Sequence, residues 1–271
     1  MGSIILQEIG LGVTSGCVNV SVANLYQEAT YHSEIVSQAL LGENVLIKQN
    51  EKDFSRIEMS DGYAGWISNY QWVAERRSLL DSLTIRSHFA PVFSEADEKG
   101  RQIRDTTIGC RLKVKSHKDG WIQVVLPDGV LGWVRKNNFA NLPACSRQNV
   151  VNLGKEFLGY PYFWGGRSPK GFDCSGLTQR IFNLLGVLLP RDAWMQHRDG
   201  TFVSKNPEEA KPGDLYFFSE KGLKITHVAV ATGNCRMIHA RGYVRMNSLT
   251  PQDDDFSREL LDTFVEVRSY L

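Results

Sequence analysis

Long apolar runs, an excess of either charge and paired cysteines are all missing from this 271-residue chain. No stretch approaches the ~20 apolar residues that a membrane-spanning helix needs. The 31 basic and 30 acidic side chains leave a net charge of +1 with no long basic run, which argues against a generic nucleic-acid binder. The five cysteines (Cys17, Cys110, Cys145, Cys174 and Cys235) are odd in number, and none has Cys-x-x-Cys spacing. That argues against a disulfide framework and a zinc site, and the reading calls for no metal and no cofactor. What remains is the composition of an ordinary globular protein, 42% hydrophobic and 23% charged, at a length suited to two or three domains. The N-terminus, MGSIILQEIGLGVTSG, has an apolar patch but no basic region before it and does not read as a secretory signal. Leu6 also breaks the myristoylation pattern. The expected location is cytoplasmic for the chain as it stands, or periplasmic or secreted if a leader was removed.

The stretch around which the rest is organised is YPYFWGGRSPKGFDCSGL, from Tyr160 to Leu177. Its aromatics and glycines suit a loop held close to something. The following LTQRIFNLLGV places Leu177, Ile181, Leu184 and Leu185 at helical spacing, with Phe182 beside them. Cys174 therefore falls in the first turn of an expected amphipathic helix, with Asp173 as its N-cap. A helix N-terminus favours thiolate over thiol, so Cys174 is a candidate nucleophile. A lone cysteine is more often a small buried hydrophobe, and Cys17, Cys110, Cys145 and Cys235 are read that way, as structural.

The chain downstream favours the nucleophile. A run from Asp214 to Phe218, then THVAVAT and RMIHA, read as three short strands. His227 opens the second and His239 closes the third. If these strands are antiparallel neighbours, both imidazoles reach one end of the sheet. A cysteine on a helix packed there meets His227 as a thiolate–imidazolium pair, and His239 orients the base through its other ring nitrogen. A zinc site made by the same three residues is a further idea, but a cysteine before an apolar helix fits a nucleophile better.

The blocks PYFWGGRSPKGFDCSGLTQ, LPRDAWMQ, KPGDLYFF, THVAVA and MIHA, in this order over about the last 125 residues, resemble the NlpC-type cell-wall cysteine peptidases, a papain-like family that cuts peptidoglycan stem peptides. The resemblance implies Cys174 as nucleophile, His227 as general base and acid and His239 as the third member. It also implies Tyr162 beside the nucleophile as an oxyanion donor, together with the Cys174 amide.

From about Gly16 to Val73, and again from about Leu83 to Leu142, short strands alternate with glycine turns. The two halves end alike, in DGYAGWI with Trp66 and in DGVLGWV with Trp133. These endings resemble tandem bacterial SH3-like barrels. AERRSLLDS, Ala74 to Ser82, is read as a charged linker, helix or loop. The expected fold is two small all-β SH3-like barrels (1–75 and 76–143) followed by an α+β papain-like peptidase domain (144–271). This layout resembles the γ-D-glutamyl-L-diamino acid endopeptidases of the dipeptidyl-peptidase VI type, in which the first barrel closes one end of the cleft and selects a free N-terminal L-alanine. The best matches for the two residues that hold its ammonium are Glu34 and Tyr63. Glu34 reads equally well as a solvated strand-edge charge and Tyr63 as barrel packing.

Ser146 is expected to cap a helix over RQNVVNLGKEFLG, with Val150, Leu153, Phe157 and Leu158 on one side, stopping at Gly159. Asp192 is expected to cap a short helix that carries Trp194, and His197 is read as surface. By resemblance, Arg191 and Asp192 line the cleft, and Asp173 and Ser175 face the substrate's amine end. Asp173 can cap with one oxygen and accept an ammonium with the other. Where relatives often carry serine after the Arg-Asp pair, this chain has Ala193. The expected activity is an endopeptidase cut at the γ-D-glutamyl–diamino acid bond of stem peptides or muropeptides, by a monomer with no nucleic-acid partner and no membrane span. An acyltransferase or amidase on the same Cys-His scaffold, or a wall-binding protein without turnover, are the alternatives.

Overall fold

The computed structural model describes residues 14–271 apart from 77, 140, 221 and 223. Most of the N-terminal stretch read above for a leader thus lies outside the described residues. The protein is mostly β with few helices, and among the described residues no helix is long and apolar enough to cross a membrane.

The alternating strand patterns of the first two thirds form two antiparallel sheets. The first has seven strands: Thr14–Val18, Val22–Tyr26, Ile35–Leu40, Asn44–Asn50, Phe54–Glu58, Ala64–Ser68 and Trp72–Ala74. Counted along the chain, they lie side by side in the order three, two, six, five, four, one, seven. The second has six: Ser82–Thr84, Phe89–Phe93, Gln102–Thr107, Arg111–Lys118, Trp121–Val125 and Leu131–Arg135. They lie three, two, six, five, four, one, which repeats the order of the first sheet. The Asp-Gly turns before the Trp66 and Trp133 strands match too. Gly62 and Gly129 both hold positive φ, 78° and 89°, which only glycine adopts without strain.

Each sheet surrounds its own core, with Leu25, Ile57 and Ile67 in the first and Val92, Ile122 and Val134 in the second. Leu40 and Leu41, from the first unit, are buried in the second core. The segment read as a linker contains no helix among its described residues. Strands occupy both of its ends.

The C-terminal unit has four α-helices: α1 (Arg147–Glu156), α2 (Cys174–Leu184), α3 (Ala193–Asp199) and α4 (Arg258–Thr263). Its antiparallel six-stranded sheet runs Thr201–Ser204, Phe264–Ser269, Leu215–Phe218, His227–Gly233, Arg236–Arg241, Tyr243–Ser248. Ser146 caps α1 as its sequence dictates, its Oγ accepting from the Asn149 amide at 3.2 Å. Leu158, expected on the buried side, lies past the helix end and is exposed. Leu177, Ile181 and Phe182 of α2 pack on Val228, Val230 and Ile238 of the central strands.

Helix α2 departs from the amphipathic expectation. Every residue from Cys174 to Leu184 except Asn183 is buried, Gln179 and Arg180 included. The first two units cover the side that the sequence leaves polar. Gln179 Nε2 donates to Asp61 Oδ2 of the first unit at 2.8 Å, and Arg180 packs against Gly109 of the second. Cys145 is another correction. It is exposed, whereas Cys17, Cys110 and Cys235 are buried.

Candidate active site

The site begins at the N-terminus of α2, where Cys174 is the first helical residue and is 9% exposed. Asp173 caps the helix through Oδ1, which accepts from the Gly176 amide at 2.6 Å. The same carboxylate is bound by much more than the helix. Oδ1 also accepts from Arg191 Nη1 (3.1 Å) and Ser175 Oγ (3.3 Å), and Oδ2 accepts from Gly165 N (2.9 Å) and Arg191 Nη2 (2.5 Å). Both oxygens are thus occupied from within, so the capacity expected to remain for a substrate ammonium is used by Gly165 and Arg191. Arg191 is equally committed. Its Nη1 also donates to Ser175 Oγ at 3.0 Å and its Nε to Ser37 Oγ of the first unit at 3.1 Å. The sequence gives no sign of this clamp, because it joins three segments far apart in the chain.

Asp192 stands at the N-cap position of α3 but makes no capping bond. Its carboxylate instead lies beside the side chains of Tyr63 and Trp194. Burial raises its pKa, against the pull of the neighbouring Arg191, and burial pushes the Tyr63 phenol up to about 12. His197 is half-buried rather than on the surface, its Nε2 2.7 Å from Glu266 Oε1 and its ring against Phe217.

His227 opens its strand as expected, whereas His239 lies inside its strand. The two strands are antiparallel neighbours, and in their register Ile238, next to His239, lies across from Val230. His227 Nε2 lies 2.8 Å from His239 Nδ1, and His239 Nε2 lies 2.9 Å from Asn247 Oδ1. An amide oxygen only accepts, so His239 carries its proton on Nε2 and accepts at Nδ1. His227 must then donate from Nε2, which leaves the lone pair on Nδ1. Both nitrogens of His239 are engaged within the structure, which leaves neither free to ligate a metal. The sequence reading missed Asn247 altogether.

Cys174, His227, Tyr162, Asp173, Ser175, Asp192, Glu34 and Tyr63 all line one cavity of about 600 Å³. Glu34, Val36 and Tyr63 form its first-unit wall, and Glu34 Oε1 accepts from Trp164 Nε1 at 2.6 Å. Gly165 sets how closely the units approach. With φ +77° and its Cα against the Ile35 carbonyl, a Cβ there would lie 2.4 Å from that oxygen.

Burial acts against the expected ion pair. Burial pushes the Cys174 thiol from 9.0 up to about 12, and the Asp173 carboxylate adds to the rise. The amides of Val228 and Ser175 and the Arg191 guanidinium oppose it. Desolvation, then His239, Arg241 and Arg245, hold His227 well below 6.5. A rise from 9.0 to about 12 corresponds to roughly 4 kcal/mol, whereas a helix N-terminus contributes about 0.3–2 kcal/mol. Burial outweighs the helix end and pushes the Cys174 thiol and the His227 imidazole each towards its neutral form.

His239 is fully buried and neutral, its pKa lowered to about 4 by burial in spite of its bond to Asn247. Unfolded, it takes up a proton near 6.5. Its contribution to stability is complete above about pH 6.5 and is lost as the pH falls towards 4, by roughly 3 kcal/mol in total. Urea unfolding at pH 7.5 and pH 4.5 should therefore show a smaller acid loss for His239→Gln than for the unaltered chain. Equal losses would remove His239 from the account.

Two stretches match family models: residues 159–262 match the NlpC/P60 family, and residues 25–71 match the bacterial dipeptidyl-peptidase SH3 domain. A Bacillus cereus protein named gamma-D-glutamyl-L-lysine dipeptidyl-peptidase is 30% identical over 243 residues, which cover 82% of this chain and 72% of that one. The chain belongs to the NlpC/P60 family. Another relative is dipeptidyl-peptidase 6 of Lysinibacillus sphaericus, 29% identical over 92% of this NlpC/P60 chain and 96% of its own. The crystal structure of an NlpC/P60 family protein from Bacillus cereus superimposes with a TM-score of 0.81 at 26% identity, covering 95% of this chain and 100% of that one. The SH3 match falls on the first sheet, whose residues wall the cavity.

Proposed function

We propose that this protein is a cysteine peptidase that cuts the γ-D-glutamyl–diamino acid bond of peptidoglycan stem peptides or muropeptides bearing a free N-terminal L-alanine. The observation that carries the reading is the shared cavity: Cys174 at a helix N-terminus faces the same space as a His227 polarised by His239, and the first unit walls that space. The names of the two relatives agree with it. The cut follows from the geometry. Nδ1 of His227 takes the thiol proton as Cys174 sulfur attacks the γ-carbonyl carbon. The oxyanion receives hydrogen bonds from the Tyr162 hydroxyl and the Cys174 amide. Tyr162 suits a donor, because burial raises its phenol pKa and keeps the proton on. Collapse breaks the carbon–nitrogen bond as His227 returns the proton to the departing amine. One water then gives a proton to His227 and its oxygen to the thioester, which frees L-Ala-γ-D-Glu and the thiol.

Glu34 and Tyr63 hold the alanine ammonium, since Asp173 is already saturated. Ser175 and Asp192 shape that end, and Arg191 acts through Asp173. The repeated strand order supports a second SH3-like domain, so the chain divides into 1–75, 76–143 and a papain-like 144–271. The protein works as a monomer on soluble fragments.

Incubation with L-Ala-γ-D-Glu-meso-diaminopimelate, its N-acetylated form and intact crosslinked peptidoglycan, read by mass spectrometry, tests this. Release of L-Ala-γ-D-Glu from the free tripeptide alone is expected. Equal rates on blocked and free peptides would remove the gating role of the first unit, and transfer of the dipeptide to an added amine would mean an acyltransferase.

A further inference from the structure

The strand Tyr243–Ser248 carries a residue that the chemistry above does not use. In its register Asn247 lies across from Met237 and Arg245 across from His239, so Asn247 and His239 are diagonal neighbours on one face. The Asn247 amide is held at both ends. Its Nδ2 donates to the Asp255 carbonyl at 2.8 Å, and its Oδ1 lies 2.9 Å from His239 Nε2. The backbone carbonyl fixes which end is which, because it accepts only from the NH₂ group. The Asp255 carbonyl is itself anchored, accepting from the Ser248 amide at 3.0 Å.

Hydrogen-bond polarity then runs one way from the backbone to the cleft. Asn247 can only accept from His239, His239 can only accept from His227, and His227 presents a bare Nδ1. Reversing Asn247 would set its oxygen against the Asp255 carbonyl and its NH₂ against a protonated Nε2, costing two buried hydrogen bonds. Resting on the peptidase reading above, we infer that Asn247 is a positioning residue that selects the tautomer of His227, keeping Nδ1 unprotonated on the side that meets the thiol. A histidine alone in the third position cannot do this, because an imidazole donates from either nitrogen.

The charged groups around the pair are few. Arg241 on the His239 strand and Arg245 on the next disfavour protonation of both imidazoles. Glu259 pairs with Arg241, and Glu220 and Lys224 stand with them along the cavity rim. The Asp255 carboxylate is turned to Arg236 at 3.4 Å, so the loop presents its carbonyl to Asn247. Cys174 on α2 completes the surroundings.

The test uses the full chain labelled with ¹⁵N-histidine and two variants. In the unaltered protein the ring ¹⁵N shifts at pH 7.5 should report His227 and His239 as single Nε2–H tautomers. Asn247→Leu removes the acceptor, so His239 and then His227 should show mixed tautomers, with kcat reduced about 10- to 100-fold and KM within about twofold. Asn247→Asp keeps the acceptor towards His239 and adds a negative charge, at the cost of the bond to the Asp255 carbonyl. It should retain the tautomers and move the acid limb of the kcat/KM profile to higher pH, because a carboxylate stabilises an imidazolium. Single tautomers in Asn247→Leu, or the same pH profile in Asn247→Asp as in the unaltered chain, would overturn the assignment. The nitrogen shifts are read without substrate. A chain that shows the expected tautomers and their loss in Asn247→Leu but cuts no peptide would therefore discredit the peptidase reading and leave the role of Asn247 standing.

Discussion

Cys174→Ala is expected to lower peptide turnover by at least about 10⁴-fold while the unfolding midpoint stays near that of the unaltered chain. The first half rests on chemistry. With no sulfur there is no acyl-enzyme, and the residual rate comes from binding and the oxyanion donors alone. The second rests on packing. Cys174 sits on the cavity wall, so removal of one heavy atom enlarges an existing space and leaves the packed side of α2 intact. The cost is about 1 kcal/mol or less. Cys145→Ala is the control: exposed and outside the cavity, it should change neither rate nor stability. Measurable turnover by Cys174→Ala would mean that another group attacks the carbonyl.

The second large effect lies one residue away. Arg191 and Asp173 are 2% and 7% exposed, and each satisfies the other with two hydrogen bonds. Arg191→Met fills a similar volume but leaves a buried carboxylate held by neutral donors only, and also frees Ser37. Breaking a buried pair from one side costs about 3–5 kcal/mol. Lysine is not a substitute, since a single ammonium cannot make both bonds to Asp173 and reach Ser37. In Asp173→Asn/Arg191→Met the stranded charge is gone, and the double variant should be more stable than Arg191→Met in guanidinium unfolding. Strictly additive losses would show that the pair is not coupled, and that the two groups stabilise the loop separately.

Local signals in the sequence carried the fold a long way. Ser146 and Asp173 cap their helices, glycines turn the two sheets, and the alternation around His227 and His239 puts both in neighbouring strands. These features depend on residues close in the chain, or on two adjacent strands. The misses depend on more. Helix α2 reads as amphipathic because its polar side meets other units, which periodicity within one segment cannot reveal. Asp192 reads as a cap because an aspartate before a helix usually is one, but here it makes no capping bond and its carboxylate lies beside Tyr63 and Trp194. Asn247 was invisible without the register of a third strand. Cys174 reads as favouring thiolate because the partial charge at the helix end is legible in the sequence, whereas the burial that opposes it is not.

The strand Ile35–Leu40 has a consequence for how such a protein can change over time. Val36 walls the cavity, Ser37 receives Arg191, Gln38 receives the Arg167 amide and the Ser168 hydroxyl, and Leu40 and Leu41 fill the core of the second unit. These five positions therefore wall the cavity, bond the C-terminal unit and fill a neighbour's core within one short stretch. An accessory module that only tethers an enzyme can be gained, lost or exchanged by recombination. This one cannot be shed without opening the core beside it and releasing the arginine that holds the cap of α2. Exchange of the first unit for an unrelated module should therefore open the second core as well as remove a wall of the cavity.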